Sequence, residues 1–360
     1  MLLEPAGPVP LHDDFSHKDE TIAAAYCCCC EDEKEVLQEL EKTPGNSSLT
    51  IDLMNIRIIG HLIDILSQYK EQHAAAYISK TIMSCGAKEK RIEVGAFYNK
   101  YLIKAFWCNR TRRPASSNES SPRSFDSRQE VNKDELGTAS DEYTSPQDHR
   151  TAKKWGLVRD NYRCVATKKI DMGCEEDIPP DALTTYTYCT HIFPELTNTN
   201  LDDPTKSEYA ASTWAVLEAF GYRSIVEDLK GSNIHRLDNV LTLEYSVLIA
   251  FDELRLWFEA TDVANCYKAV TSHKNVLGLG VPDTVTFETA DERLALPNPT
   301  YLRLHALCCK VAHLSGALEY YKQLEDDDIE YDPYGPVPAD VLTARLHDIS
   351  TTSPYPIESV

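Results

Sequence analysis

The chain has 360 residues, 42% of them hydrophobic, and a formal net charge of −21 at pH 7. That length suits two modest domains or one domain with long flanks, and the acidic balance argues against a protein that coats nucleic acid nonspecifically through clustered Lys and Arg. No segment reaches the ~18 consecutive apolar residues of a membrane helix, and the opening MLLEPAGPVPLHDDF lacks the basic flank and apolar run of a secretory signal; no membrane association is expected, and the expected location is intracellular, cytoplasmic or nuclear.

Residues 1–31 read as irregular, with scattered Pro, Asp and His and no sustained period. Within them lies the run Cys27 to Cys30, four of the twelve cysteines. It is read as the apolar face and loop edge before a first helix; palmitoylation or a soft metal is the alternative. None of the other cysteines shows the C-x-x-C spacing of a zinc or redox site, so reduced thiols are expected.

Residues 32–108 are read as a small helical domain. EKEVLQELEK is a short amphipathic helix, SSLTIDLMNIRIIGHLIDILSQYK a longer one with a Ser/Thr start, AAAYISKTIMSCG a third ending at Gly86, and VGAFYNKYLIKAFW a fourth. Residues 109–150 are rich in Ser, Pro, Asn and charge, and are read as a flexible linker.

A second unit is expected over residues 151–324. YRCVAT (Tyr162–Thr167) alternates like a strand, and TYTYCTHIF (Thr185–Phe193) is a second strand stopped by Pro194. SEYAASTWAVLEAFG reads as a helix ending at Gly221, NVLTL as a short strand and EYSVLIAFDE as a short helix. RLWFEA and CYKAVT form a hairpin across TDVAN. TYLRLHALCCKVAHLSGALEYYKQLE reads as one long helix, and residues 325–360 as an acidic, Pro-containing tail. Trp214, Phe220, Trp257 and Phe258 fall at apolar periodic positions and are expected in the core.

The charge is unevenly spread. Ile103–Arg128 and Thr151–Gly173 each carry six basic residues against two acidic ones, a weak hint of a polyanion-binding surface set against an ordinary solvated face.

The stretches RDNYRCVATKK, CTHIFPE, STWAVLEAFGY, GSNIHRLDNVLTL and AFDELRLWFEATD place, in order, an Arg-bearing strand, a His at a strand end, an Asn, and a helix carrying an Asp. This order resembles the HNH nucleases, the ββα-metal endonuclease superfamily, and in detail the fungal proteins that carry one HNH domain behind a helical N-terminal region. The resemblance implies an α+β fold, with a helical N-terminal domain followed by an HNH-like ββα-metal core with added helices and a β-hairpin. It implies hydrolysis of phosphodiester bonds in DNA, with His191 as the base and Asn239 holding the loop that carries it. A base near neutral pKa suits that role.

The same resemblance implies one divalent ion, Mg²⁺ or else Mn²⁺ or Zn²⁺, with ligands from the residue before the base, Thr190, and from the helix, Asp252. Arg159 and Arg163 are implied as phosphate contacts. The chain departs from the pattern at the helix position nine residues after Asn239, where Leu248 replaces the ligand histidine; His235 is a candidate substitute or an ordinary loop histidine. Two readings therefore stand side by side: a metal-dependent nuclease, and an HNH scaffold that has lost its chemistry and binds or regulates. A third makes the N-terminal helices an interaction module for a protein partner that the sequence does not name.

Overall fold

The computed structural model describes residues 1–4, 7–69, 71–107, 143–174, 178–194, 204–289 and 291–326. Most of the expected linker and nearly all of the acidic tail lie outside the described residues. The chain is mixed α and β, with helices predominating over small sheets.

The N-terminal part opens with β1 (Leu2–Leu3) and continues into α1 (Glu20–Lys42), α2 (Ser47–Gln68), α3 (Gln72–Ser84) and α4 (Lys88–Tyr98). A five-residue π-helical turn, Asn99–Ile103, leads into α5 (Lys104–Trp107). Residues 20–31 are therefore helical, not irregular. Asp19 accepts hydrogen bonds from the Thr21 and Ile22 amides and so caps the first turn. The cysteine run falls inside α1, with Cys29 and Cys30 buried and Cys27 exposed. Two ion pairs join α1 to its neighbours: Glu33 with Arg57 of α2 at 2.6 Å, and Asp32 with Arg91 of α4 through two 2.6 Å hydrogen bonds. Where α2 and α4 cross, Gly95 has no alternative, because a Cβ there would sit 2.1 Å from the Asn55 carbonyl oxygen.

The second part begins at α6 (His149–Arg159), whose N-cap Asp148 and Thr151 form a reciprocal capping box. The expected strand over Tyr162–Thr167 is a tight knuckle. Asn161, Tyr162 and Lys168 all adopt positive φ, and only Arg163 makes an isolated bridge, to Ile170. Next come β2 (Ile170–Asp171), parallel to β3 (Thr184–Thr185), and β4 (Thr187–His191). After α7 (Pro204–Ala219) and α8 (Arg223–Asp228), β5 (Val240–Glu244) returns antiparallel to β4, pairing Thr187 with Glu244 and His191 with Val240. The helix α9 (Tyr245–Asp252) follows without a loop.

Then β6 (Leu256–Ala260) and β7 (Cys266–Thr271) form the expected hairpin. The opposite edge of β7 is shared by β1, parallel, and β8 (Thr284–Thr286), antiparallel. The last long helix is two: α10 (Pro299–Ser315) stops at Gly316, whose φ of 89° takes the left-handed cap that favours glycine, and α11 (Ala317–Asp326) follows.

The two parts share one hydrophobic core. Helix α10 packs against α2 on one side and β6 on the other, so Ile58, Ile59, Trp257, Phe258, Leu304 and Val311 belong to a single buried cluster. Phe220, Trp257 and Phe258 are buried and Trp214 packs against the same cluster. Burial of this apolar surface is the main favourable term holding the fold. A smaller cluster around Trp155, Val158 and Val240 lies under α6. The β4–β5 hairpin is therefore flanked by α6 and by α9, both of which contact it.

Candidate functional site

The site is built on the end of β4 and the start of β5. Asn239, fully buried, accepts the Phe193 amide on its Oδ1 at 2.8 Å. Its Nδ2 donates to Phe193 O at 3.3 Å and Ile234 O at 2.8 Å, and its backbone carbonyl takes the Ile192 amide at 2.8 Å. One side chain thus ties the turn after His191 to the segment before β5. A buried backbone group needs such a partner, because leaving it unpaired costs about 1–3 kcal/mol.

Successive side chains of a strand leave opposite faces of the pleat, and this separates Thr190 from His191. Thr190 points to α9 and donates its hydroxyl to Asp252 Oδ1 at 3.1 Å. Asp252 is 2% exposed, and that burial pushes its carboxyl well above the usual carboxylate range; Thr190 partly offsets the shift. Leu248, one turn earlier on α9, is packed into the main core.

His191 leaves the other face. It is 4% exposed and its Nε2 lies 3.1 Å from His235 Nδ1, so one of the two nitrogens donates and the other accepts. The ring of His149, at the start of α6, sits 5.6 Å from that of His191. His149 is itself exposed and its Nε2 reaches Cys189 O at 3.2 Å. Burial first, then His149 and His235, hold the His191 pKa well below the ordinary value of 6.5.

The structure therefore brings His191, His235 and Asn239 together, and Thr190 and Asp252 together, but leaves the two sets on opposite faces of the hairpin. The second set does not fit a hard divalent cation. Mg²⁺ needs oxygen ligands at about 2.0–2.1 Å and keeps several waters, whereas Asp252 is sealed, favours the neutral acid and already accepts Thr190, and Leu248 offers no donor. Among the described residues, no group of three or more His, Cys, Asp or Glu is disposed to hold a metal ion.

No family model, curated protein or solved structure matches this chain.

Arg159 requires a correction as a phosphate contact. It is 0% exposed, and its guanidinium makes five hydrogen bonds: two to Asp160 at 2.7 and 2.8 Å, and one each to Leu237 O, Ala295 O and Val240 O. An arginine has five N–H donors, so none is left for a phosphate. Arg163 is half-buried and donates to Lys168 O at 3.2 Å. His235 is no ordinary loop histidine, because it partners His191; His149 escaped the sequence reading because it falls in a stretch read as linker. A histidine 44 residues from its partner leaves no local signal.

Proposed function

We propose that the β4–β5–α9 unit is an HNH-like scaffold that serves binding or regulation and does not hydrolyse phosphodiesters. One observation carries this reading. Asp252, the single acid of the expected ligand set, is sealed and hydrogen-bonded by Thr190 on the face opposite His191. Hydrolysis by an HNH-type site needs base and metal against the same phosphate, and this arrangement keeps the two sets of residues apart. A base is also most effective with a pKa near the working pH and within reach of the proton it takes; His191 is buried and its pKa is driven far down.

The second reading, a metal-dependent DNA endonuclease, is favoured by two features: His191 at a strand end and Asn239 clamping the turn beyond it. Plasmid nicking by the full chain with Mg²⁺, Mn²⁺ or no metal separates the two, beside His191→Ala and Leu248→His variants. The scaffold reading predicts no metal-dependent nicking by any of the three. Nicking by the wild type that disappears in His191→Ala overturns it.

A further inference from the structure

A cleft of about 320 Å³ opens on the flank of the same hairpin, between the end of α6, the knuckle that follows it, and the segment after β8. It is lined by Asp160, Asn161, Arg163, Lys168, Glu288 and Thr289, among others. Its walls are fixed. The Val165 amide bonds Thr242 O of β5 at 2.9 Å, the Lys168 amide bonds Cys164 O at 2.9 Å, and Lys168 Nζ reaches across to Thr286 O of β8 at 2.7 Å. The knuckle therefore bridges β5 to β8 and holds the cleft open between them.

The charges of the lining do not cancel. Arg159 and Asp160 neutralise each other through their paired hydrogen bonds, which leaves Arg163 and Lys168 against Glu288. A net positive cleft in a chain of net charge −21 is a local reversal of sign, and a concave positive surface focuses its field on anions. Arg163 spends one N–H on Lys168 O and Lys168 spends one on Thr286 O, against five and three that these groups carry. Arginine forks and lysine ammonium groups both suit phosphate oxygens. The volume lies at the low end of the ~300–1,000 Å³ typical of small-molecule sites. It has room for more than a bare ion, and Glu288 and Thr289 supply acceptors for a hydroxyl or amine.

We propose that this cleft binds a small phosphate monoester of about nucleoside-monophosphate size, with its phosphate on Arg163 and Lys168 and a donor group on Glu288. The site is independent of the scaffold reading above, since it uses neither face of the β4–β5 hairpin that carries His191 or Asp252.

Calorimetric titration of the full chain tests it, with AMP, inorganic phosphate and a short duplex oligonucleotide as separate probes. AMP is expected to bind saturably at one site and more tightly than inorganic phosphate. Its affinity should fall roughly tenfold or more in Arg163→Gln and in Lys168→Asn, in line with the ~1.5–3 kcal/mol of a hydrogen bond to a charged group. Asparagine is chosen because position 168 has a φ of 59°, which Asn tolerates. Lys168 is exposed, so that variant decides the matter alone if Arg163→Gln does not fold. No saturable AMP binding, unchanged affinity in the variants, equal affinity for inorganic phosphate, or binding of the duplex alone would each overturn the proposal.

Discussion

Each face of the β4–β5 strand pair holds a buried titratable side chain against a neighbour, with opposite electrostatic consequences. On the α9 face, burial raises the Asp252 pKa; on the α6 face, burial lowers that of His191. Burial disfavours the charged form of each group, which is the first cause of both shifts. Neighbouring residues in a strand, Thr190 and His191, thus belong to two clusters that share nothing but a backbone. A constellation that looks contiguous in sequence is split by the pleat.

Breaking the α6 face should have the largest effect. Arg159→Ala leaves the Asp160 carboxylate buried without its partner and strips donors from Leu237 O, Ala295 O and Val240 O. Removing one member of a buried pair costs about 3–5 kcal/mol, so denaturant titration should show at least that loss. Asn239→Ala comes next, at roughly 1–3 kcal/mol, chiefly for the buried Phe193 amide it leaves without its acceptor.

The faces should also answer pH with opposite signs. His191 has a lowered folded pKa, so the unfolded chain takes up its proton first; its contribution is present above 6.5 and is lost as pH falls toward the folded value. His61 and His305, pushed down to about 4 and about 3 by burial, act in the same direction. Asp252 has a raised folded pKa, so its contribution is present below 3.8 and is lost as pH rises toward the folded value. Thermal midpoints across pH should therefore show an acid limb that flattens in His191→Phe. The decline on the rising-pH side should flatten in Asp252→Asn. A flat difference between wild type and Asp252→Asn would contradict the assignment of a neutral acid.

The smallest effect separates packing from chemistry. Below pH 3.8, where the acid is neutral both folded and unfolded, Asp252→Asn keeps a group able to accept from Thr190 and should change stability by under about 1 kcal/mol. Leu248→His places a polar ring in packed core and should cost about 1–3 kcal/mol.

Much of the fold was legible. The β6–β7 hairpin followed from RLWFEA and CYKAVT, and EYSVLIAFDE read as a short helix, which is α9. The start of α1 was missed because the cysteine run masked a helix whose cap, Asp19, precedes it. The YRCVAT strand failed because alternation cannot register the positive φ of Asn161, Tyr162 and Lys168. At the candidate site, His191 and Asn239 were visible as chemistry-bearing types at a strand end and a strand start. The burial of Arg159 was not, since its carboxylate partner is the next residue and its other acceptors are backbone oxygens from distant segments. The partnership of His191 with His235 and His149 likewise depends on three segments meeting, which no local pattern encodes.

The most direct test of the central claim is the carboxyl ¹³C shift of Asp252, followed by NMR across pH and with added Mg²⁺. A sealed acid predicts a carboxyl shift that titrates well above the ordinary carboxylate range and that Mg²⁺ does not move. A carboxyl that titrates in the ordinary range and responds to Mg²⁺ would contradict the account and return Asp252 to the role of metal ligand.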